Sequence, residues 1–113
     1  MKEIKAIIQP FMLTNVMKAL HRLEGLPGVT ISEIKSCGRC KTKEVKEKAT
    51  EGIIEYTAKV KIEIVVTDEM AEKIVATIQE NAHTGNQGDG KIFVVNVEEV
   101  VKIRTNERGT DAI

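Results

Sequence analysis

KVKIEIVVTD, Lys59 to Asp68, carries one backbone period and announces the next. Val60, Ile62, Ile64 and Val66 fall on one face of an extended chain and Lys59, Lys61 and Glu63 on the other, the alternation of a half-buried strand. Past Asp68 the period lengthens. Met70, Ala71, Ile74, Val75 and Ile78 recur at helical spacing, and Asp68 is placed to cap the helix that carries them.

The same pattern opens the chain. MKEIKAIIQP sets Ile4, Ala6 and Ile8 against Lys5 and Gln9, and Pro10 ends that strand. Leu13, Val16, Met17, Leu20 and Leu23 then make a helical stripe, with Thr14 and Asn15 at its start and Gly25, Pro27 and Gly28 as its stop. Val29 to Cys37 reads as a strand rich in β-branched residues, Ile92 to Val97 as another, and Val100 to Arg104 as a short C-terminal one. Strand, helix, strand therefore occurs twice, a weak internal duplication. Two such units predict an α+β ferredoxin-like sandwich, a four-stranded antiparallel sheet with both helices on one face. The uncovered face includes Ile7 and Val65, so burial against neighbouring copies in a homo-oligomer is expected.

The 113 residues suit one domain, and 17 basic side chains balance 17 acidic ones, so no charge excess points to nucleic acid or a membrane surface. There is no tryptophan, and Phe11, Tyr56 and Phe93 are too few for a base-stacking surface. No apolar run reaches membrane-spanning length, and charges and a proline break the N-terminal stretch, unlike a signal peptide; a cytoplasmic protein without membrane insertion is expected. Cys37 and Cys40 are then reduced thiols.

GNQGDGKI, Gly85 to Ile92, satisfies G-x-x-x-x-G-K but has Ile92 where a phosphate-binding NTPase loop needs the Ser or Thr that holds magnesium. It also leads from a helix into a strand, the reverse of an NTPase loop. Gly85, Gly88 and Gly90 can still bring backbone amides to an anion, with Lys91 as the matching charge; a plain helix-to-strand connection is the competing reading. On the predicted last strand Lys102 and Arg104 share a face, and two cations there can close on a di- or triphosphate; a solvated strand edge whose charge deters aggregation is the competing reading. Gly38 to Ala58 shows no convincing period and is far longer than an ordinary connection, which reads as a mobile interaction arm offering Ile53, Ile54 and Tyr56; an over-long hairpin without a function is the competing reading.

These stretches together, from KEIKAIIQPF through KVKIEIVV to TGNQGDGKIFVVNV and IRTNERGTDAI, resemble the PII family of signal-transduction proteins over essentially the whole chain, with Thr84 to Val97 matching its C-terminal signature. The resemblance implies a single PII-like domain over residues 1–113, a homotrimer with ATP or ADP in the clefts between subunits, and three functional loops: a T-loop at about 38–58, a B-loop at about 83–91 and a C-terminal loop at about 102–113. It implies Gly88, Asp89, Gly90 and Lys91 around the phosphates, Thr30, Gly38, Arg39, Glu63 and Val65 along the pocket, and Lys102 and Arg104 reaching in from the adjoining subunit. Lys102 stands where arginine is common, keeping the charge without the bidentate fork. Gly52 replaces a tyrosine that many members have uridylylated, which excludes that modification at this position.

Cys40 replaces a glutamine that in the family helps hold magnesium and 2-oxoglutarate, and a thiol is a poor magnesium ligand; Lys59, the other expected effector contact, is present. The implied function is a nucleotide-binding regulator in nitrogen or energy control, not an enzyme, acting on a target transporter or metabolic enzyme through the T-loop. Two readings compete with it. C-G-R-C, with Cys37 and Cys40, suits a thiol or soft-metal sensor, which a branch of the superfamily with altered T-loops places beside metal efflux transporters; a slow ATPase is the other.

Overall fold

In the computed structural model, which describes residues 1–38 and 42–113, the duplicated halves interleave. The strands are β1 (Lys2–Ile8), β2 (Thr30–Ser36), β3 (Thr57–Val66) and β4 (Gly90–Asn96); the helices are α1 (Leu13–His21), α2 (Lys43–Thr50) and α3 (Asp68–Ala82). All neighbours in the sheet are antiparallel, in the order β2-β3-β1-β4. The first strands of the two halves meet at the centre, with Ile4 opposite Ile64 and Ala6 opposite Ile62. This is the expected ferredoxin-like sandwich.

Both periods seen in the sequence end in one core. Ile4, Ile8, Ile62, Ile64 and Val66 from the sheet meet Val16 and Leu20 from α1 and Ile74 and Ile78 from α3, each with at most 1% of its surface exposed. Removing such a side chain from water contributes about 1.5–3 kcal/mol, enough for a few of them to decide which face the helices cover. Across the sheet, Ile7 and Val65 are only half-buried and Phe93 and Val95 are exposed, so that face is left open.

Three expected local details differ. Helix α1 starts at Leu13 without a side-chain cap from Thr14 or Asn15, because a 3-10 turn over Pro10–Met12 feeds it directly. Pro10, with its preset φ and no N–H to satisfy, opens that turn. Asp68 is the first residue of α3 and not its cap, since Thr67 holds the cap position. The antiparallel pairing of Lys2 with Val66 brings the chain's amino terminus to Asp68, whose carboxylate accepts from the Met1 ammonium at 2.9 Å. The predicted C-terminal strand over Val100 to Arg104 is reduced to one bridge between Val101 and Arg108. Between them the chain turns back: the Lys102 N–H donates to the Glu107 carbonyl at 2.9 Å, the Asn106 N–H to the Lys102 carbonyl at 2.8 Å, and Asn106 takes the left-handed φ of 60° that asparagine tolerates.

The largest departure lies in the arm, where α2 occupies part of the stretch that lacks an apolar period. The Thr42 hydroxyl accepts from the Val45 N–H at 3.1 Å, Lys43 pairs with Glu47 at 3.8 Å and Lys48 with Glu44 at 3.5 Å. Gly52, at φ 85°, ends the helix in a Schellman motif, with its own N–H donating to the Ala49 carbonyl and that of Ile53 to the Lys48 carbonyl. Position 52 thus serves as a helix stop. None of α2 is buried, so caps and i,i+4 charges, not a hydrophobic stripe, are its signature. Among the described residues no helix is long and apolar enough to cross a membrane.

Candidate functional site

The sheet register gathers four chain segments at one end. Ile7 lies opposite both Lys61 and Lys91, Ile8 opposite both Val60 and Gly90, and Ser36 opposite Thr57. The end of β2 and the starts of β3 and β4 therefore share that end with the close of β1. Gly90 and Lys91 are the first residues of β4, so the connecting loop is shorter than the sequence suggested. Because Ile4, Ala6 and Ile8 point into the core, the alternate positions Ile7, Lys91 and Phe93 face the open side.

Gly90 is required where it stands. Its φ is 104°, and a Cβ there would lie 1.7 Å from the Ile7 carbonyl oxygen. Gly88, at φ 92°, sits over the end of the Lys59 side chain, whose ammonium donates to the Gly88 carbonyl. Lys59 itself is buried, on the strand that the arm returns into.

Asp89 closes the loop from within. Its carboxylate accepts from the Thr84 hydroxyl, from the Thr84 N–H at 2.7 Å and from the Gly85 N–H at 2.9 Å, with His83 Nδ1 at 3.8 Å. The bonds from Thr84, first through its hydroxyl and then its amide, hold the Asp89 carboxyl below the usual carboxylate range; Gly85 and His83 add to them and partial burial opposes them. Its side chain thus braces the glycine loop, where a carboxylate aimed at a phosphate would repel it. The sign of the linkage follows: a lowered folded pKa gives a brace that is complete above the ordinary carboxylate range and is lost as pH falls through the lowered value. In an NMR titration the Thr84 and Gly85 amide resonances should hold steady through the ordinary aspartate range and move together only as pH falls below it. Asp89→Asn should abolish that step, and a midpoint above the ordinary aspartate value would contradict the assignment.

A cleft of about 720 Å³ opens beside the loop. Its wall includes Gly38, Lys59, Gly88, Gly90 and Lys91 from the expected set. Among the described residues it presents two lysines and no carboxylate, which suits an anion. Ser36, Gln87 and Phe93 also line it and were not anticipated; the alternation Lys91, Phe93, Val95 along β4 was the available signal for Phe93. Cys37 is exposed and lies on the same wall.

The remaining expected residues are elsewhere. Thr30 lies opposite Glu63 and Val65 opposite Glu3, on the same open face but toward the other end of the sheet. Glu63, four residues along β3 from Lys59, is roughly 13 Å away and pairs with Lys61 at 3.2 Å. Lys102 and Arg104 are in the C-terminal turn and not on one strand face; Lys102 pairs with Glu107 at 3.8 Å, and neither cation lines the cleft. Arg39 and Cys40 lie outside the described residues, so the C-G-R-C pair is represented by Cys37 alone. Among the described residues, no three His, Cys, Asp or Glu side chains are gathered as a metal site requires, and the soft-metal reading gains no support.

Comparison with known proteins bears on the family and the fold. The family model described as "Nitrogen regulatory protein P-II" matches residues 1–107. The nitrogen regulatory protein P-II of Azospirillum brasilense is 50% identical and that of Rhodospirillum rubrum 48%, each over 113 residues that span the full length of both chains. A crystal structure of Arabidopsis thaliana PII bound to citrate superposes with a TM-score of 0.77 at 38% identity, covering 99% of this chain and 91% of that one. With the duplicated sandwich, the glycine loop seated on β4 and the full-length match all in agreement, the chain belongs to the nitrogen regulatory protein P-II family.

Proposed function

We propose that the protein is a trimeric signal-transduction regulator that binds ATP or ADP in clefts between subunits and controls a target transporter or metabolic enzyme through the arm of residues 38–58. The observation that carries this reading is the division of the site. Gly38, Lys59, Gly88, Gly90 and Lys91 stand at one end of the open face, and Thr30, Glu63 and Val65 toward the other. One chain offers half a pocket at each end of its sheet, so a neighbouring copy applied to the open face brings the second half to the first. Its Thr30, Glu63 and Val65 would form the far wall, and its Lys102 and Arg104 would supply cations to the phosphates. The half-buried Ile7 and Val65 and the exposed Phe93 and Val95 give the same face an apolar reason to be covered. The citrate held by the Arabidopsis relative is consistent with an anion site on this fold.

The arm leaves from the cleft wall at Gly38 and returns at Thr57, two residues before Lys59, so a ligand there touches both of its roots. Its outer surface shows Val45, Ile53, Ile54 and Tyr56, which suits docking to a partner protein. Calorimetry with ATP and ADP is the test. Each nucleotide should bind in roughly the micromolar range, and Lys91→Ala and Arg104→Ala should each weaken binding about tenfold or more, the loss of one charge-assisted hydrogen bond. The reading is wrong if neither nucleotide binds the native protein.

A further inference from the structure

Among the described residues Lys59 is the one charged side chain enclosed by the fold, with 9% of its surface exposed. The ion pairs on the same sheet face, Lys61 with Glu63 at 3.2 Å and Lys5 with Glu3 at 3.6 Å, leave it out. An ammonium has three N–H donors, and the partner found for this one among the described residues is the Gly88 carbonyl. A buried cation with a single neutral acceptor is under-compensated, so it holds that acceptor firmly and favours any anionic oxygen that comes within reach. Gly88 is shaped to this contact: a Cβ on it would stand 3.6 Å from Lys59 Nζ and 3.2 Å from Gln9 Nε2, and its φ of 92° turns its carbonyl where an L side chain would strain the backbone.

We propose that Lys59 is the positioning residue of the glycine loop: one N–H clasps the Gly88 carbonyl and seats the loop before any ligand arrives, while its other two donors face the cleft for a phosphate oxygen. The loop then has two independent ties, the Asp89 carboxylate at its Thr84 end and the Lys59 ammonium at its Gly88 end. Lys91, the other lysine of the cleft among the described residues, is exposed and has no part in seating the loop. The phosphate half of this inference rests on the nucleotide reading above; the clasp half does not.

The experiment starts with the ligand-free full chain, labelled for NMR. A scalar coupling across the hydrogen bond between Lys59 Nζ and the Gly88 carbonyl carbon is expected, and its absence overturns the clasp. Lys59→Met keeps the aliphatic stem and should speed amide exchange over residues 86–90 about tenfold or more without ligand, whereas Lys91→Ala should leave that exchange unchanged. Equal exchange in wild type and Lys59→Met also overturns the proposal, and the coupling in the wild type decides it should that variant fail to fold. With saturating ATP the coupling should persist while the Lys59 Nζ resonance shifts. ATP that binds by calorimetry without moving that resonance removes the phosphate half. ATP that does not bind removes the nucleotide reading with that half, and the clasp stands or falls on the ligand-free coupling.

Discussion

Gly90→Ala is expected to destabilise the protein by about 4 kcal/mol or more, in the range reserved for a structure that must rearrange. Two penalties coincide there. An L residue at φ 104° is strained whatever surrounds it, and the added methyl would lie 1.7 Å from the Ile7 carbonyl oxygen, which belongs to the central strand and cannot swing aside as a side chain could. Relief requires β4 to leave β1 at the Ile8–Gly90 pair, which also displaces Lys91 from the cleft. Gly109→Ala separates the two causes. Its φ of 75° is also left-handed, but nothing lies within 4 Å of its Cβ position, so strain alone applies and about 1–2 kcal/mol is expected. Urea unfolding of both variants at one protein concentration checks this. Equal losses would mean that β4 does not approach β1 in the register described.

Ile62→Ala is expected to cost about 2–5 kcal/mol, from lost burial plus the cavity left behind. Ile62 has no exposed surface and sits on β3 between Ala6 of β1 and Ile31 of β2. Its position at mid-sheet leaves strand backbones on both sides that cannot close over the gap, which favours the upper half of that range. Ile31 across the ladder is 43% exposed, and Ile31→Ala should cost under half as much. The midpoint of urea unfolding is the measurement, and similar losses for the two would mean that the helices do not cover β3 as described.

Much of this architecture could be read from the chain. The alternation in Val60 to Val66 and in Ile4 to Ile8, and the helical stripes of Val16 with Leu20 and Ile74 with Ile78, are all found on the buried faces. Where the reading failed, the deciding contact lay outside the window being read. Asp68 looks like a helix cap until pairing of Lys2 with Val66 delivers the Met1 ammonium to it. Val100 to Arg104 looks like a strand until Asn106 turns the chain back onto itself. Helix α2 is hidden from a periodicity reading for the opposite reason: none of its residues is buried, so it has no apolar stripe, and only Thr42, its charge pairs and Gly52 mark it.

The site divides along the same line. Residue types and spacing alone established a duplicated sandwich, a glycine loop unsuited to an NTPase and a supply of cations for an anion, because periodicity and local backbone freedom are properties of short stretches. Tertiary structure decided which residues meet. Antiparallel register put Gly88 to Lys91 beside Gly38 and Lys59 and left Thr30, Glu63 and Val65 farther along the sheet. It turned the Asp89 carboxylate inward to brace its own loop and enclosed the Lys59 ammonium under Gly88. Such pairings depend on how distant strands align and on which charges lose their water, and neither is encoded within any one stretch of the sequence.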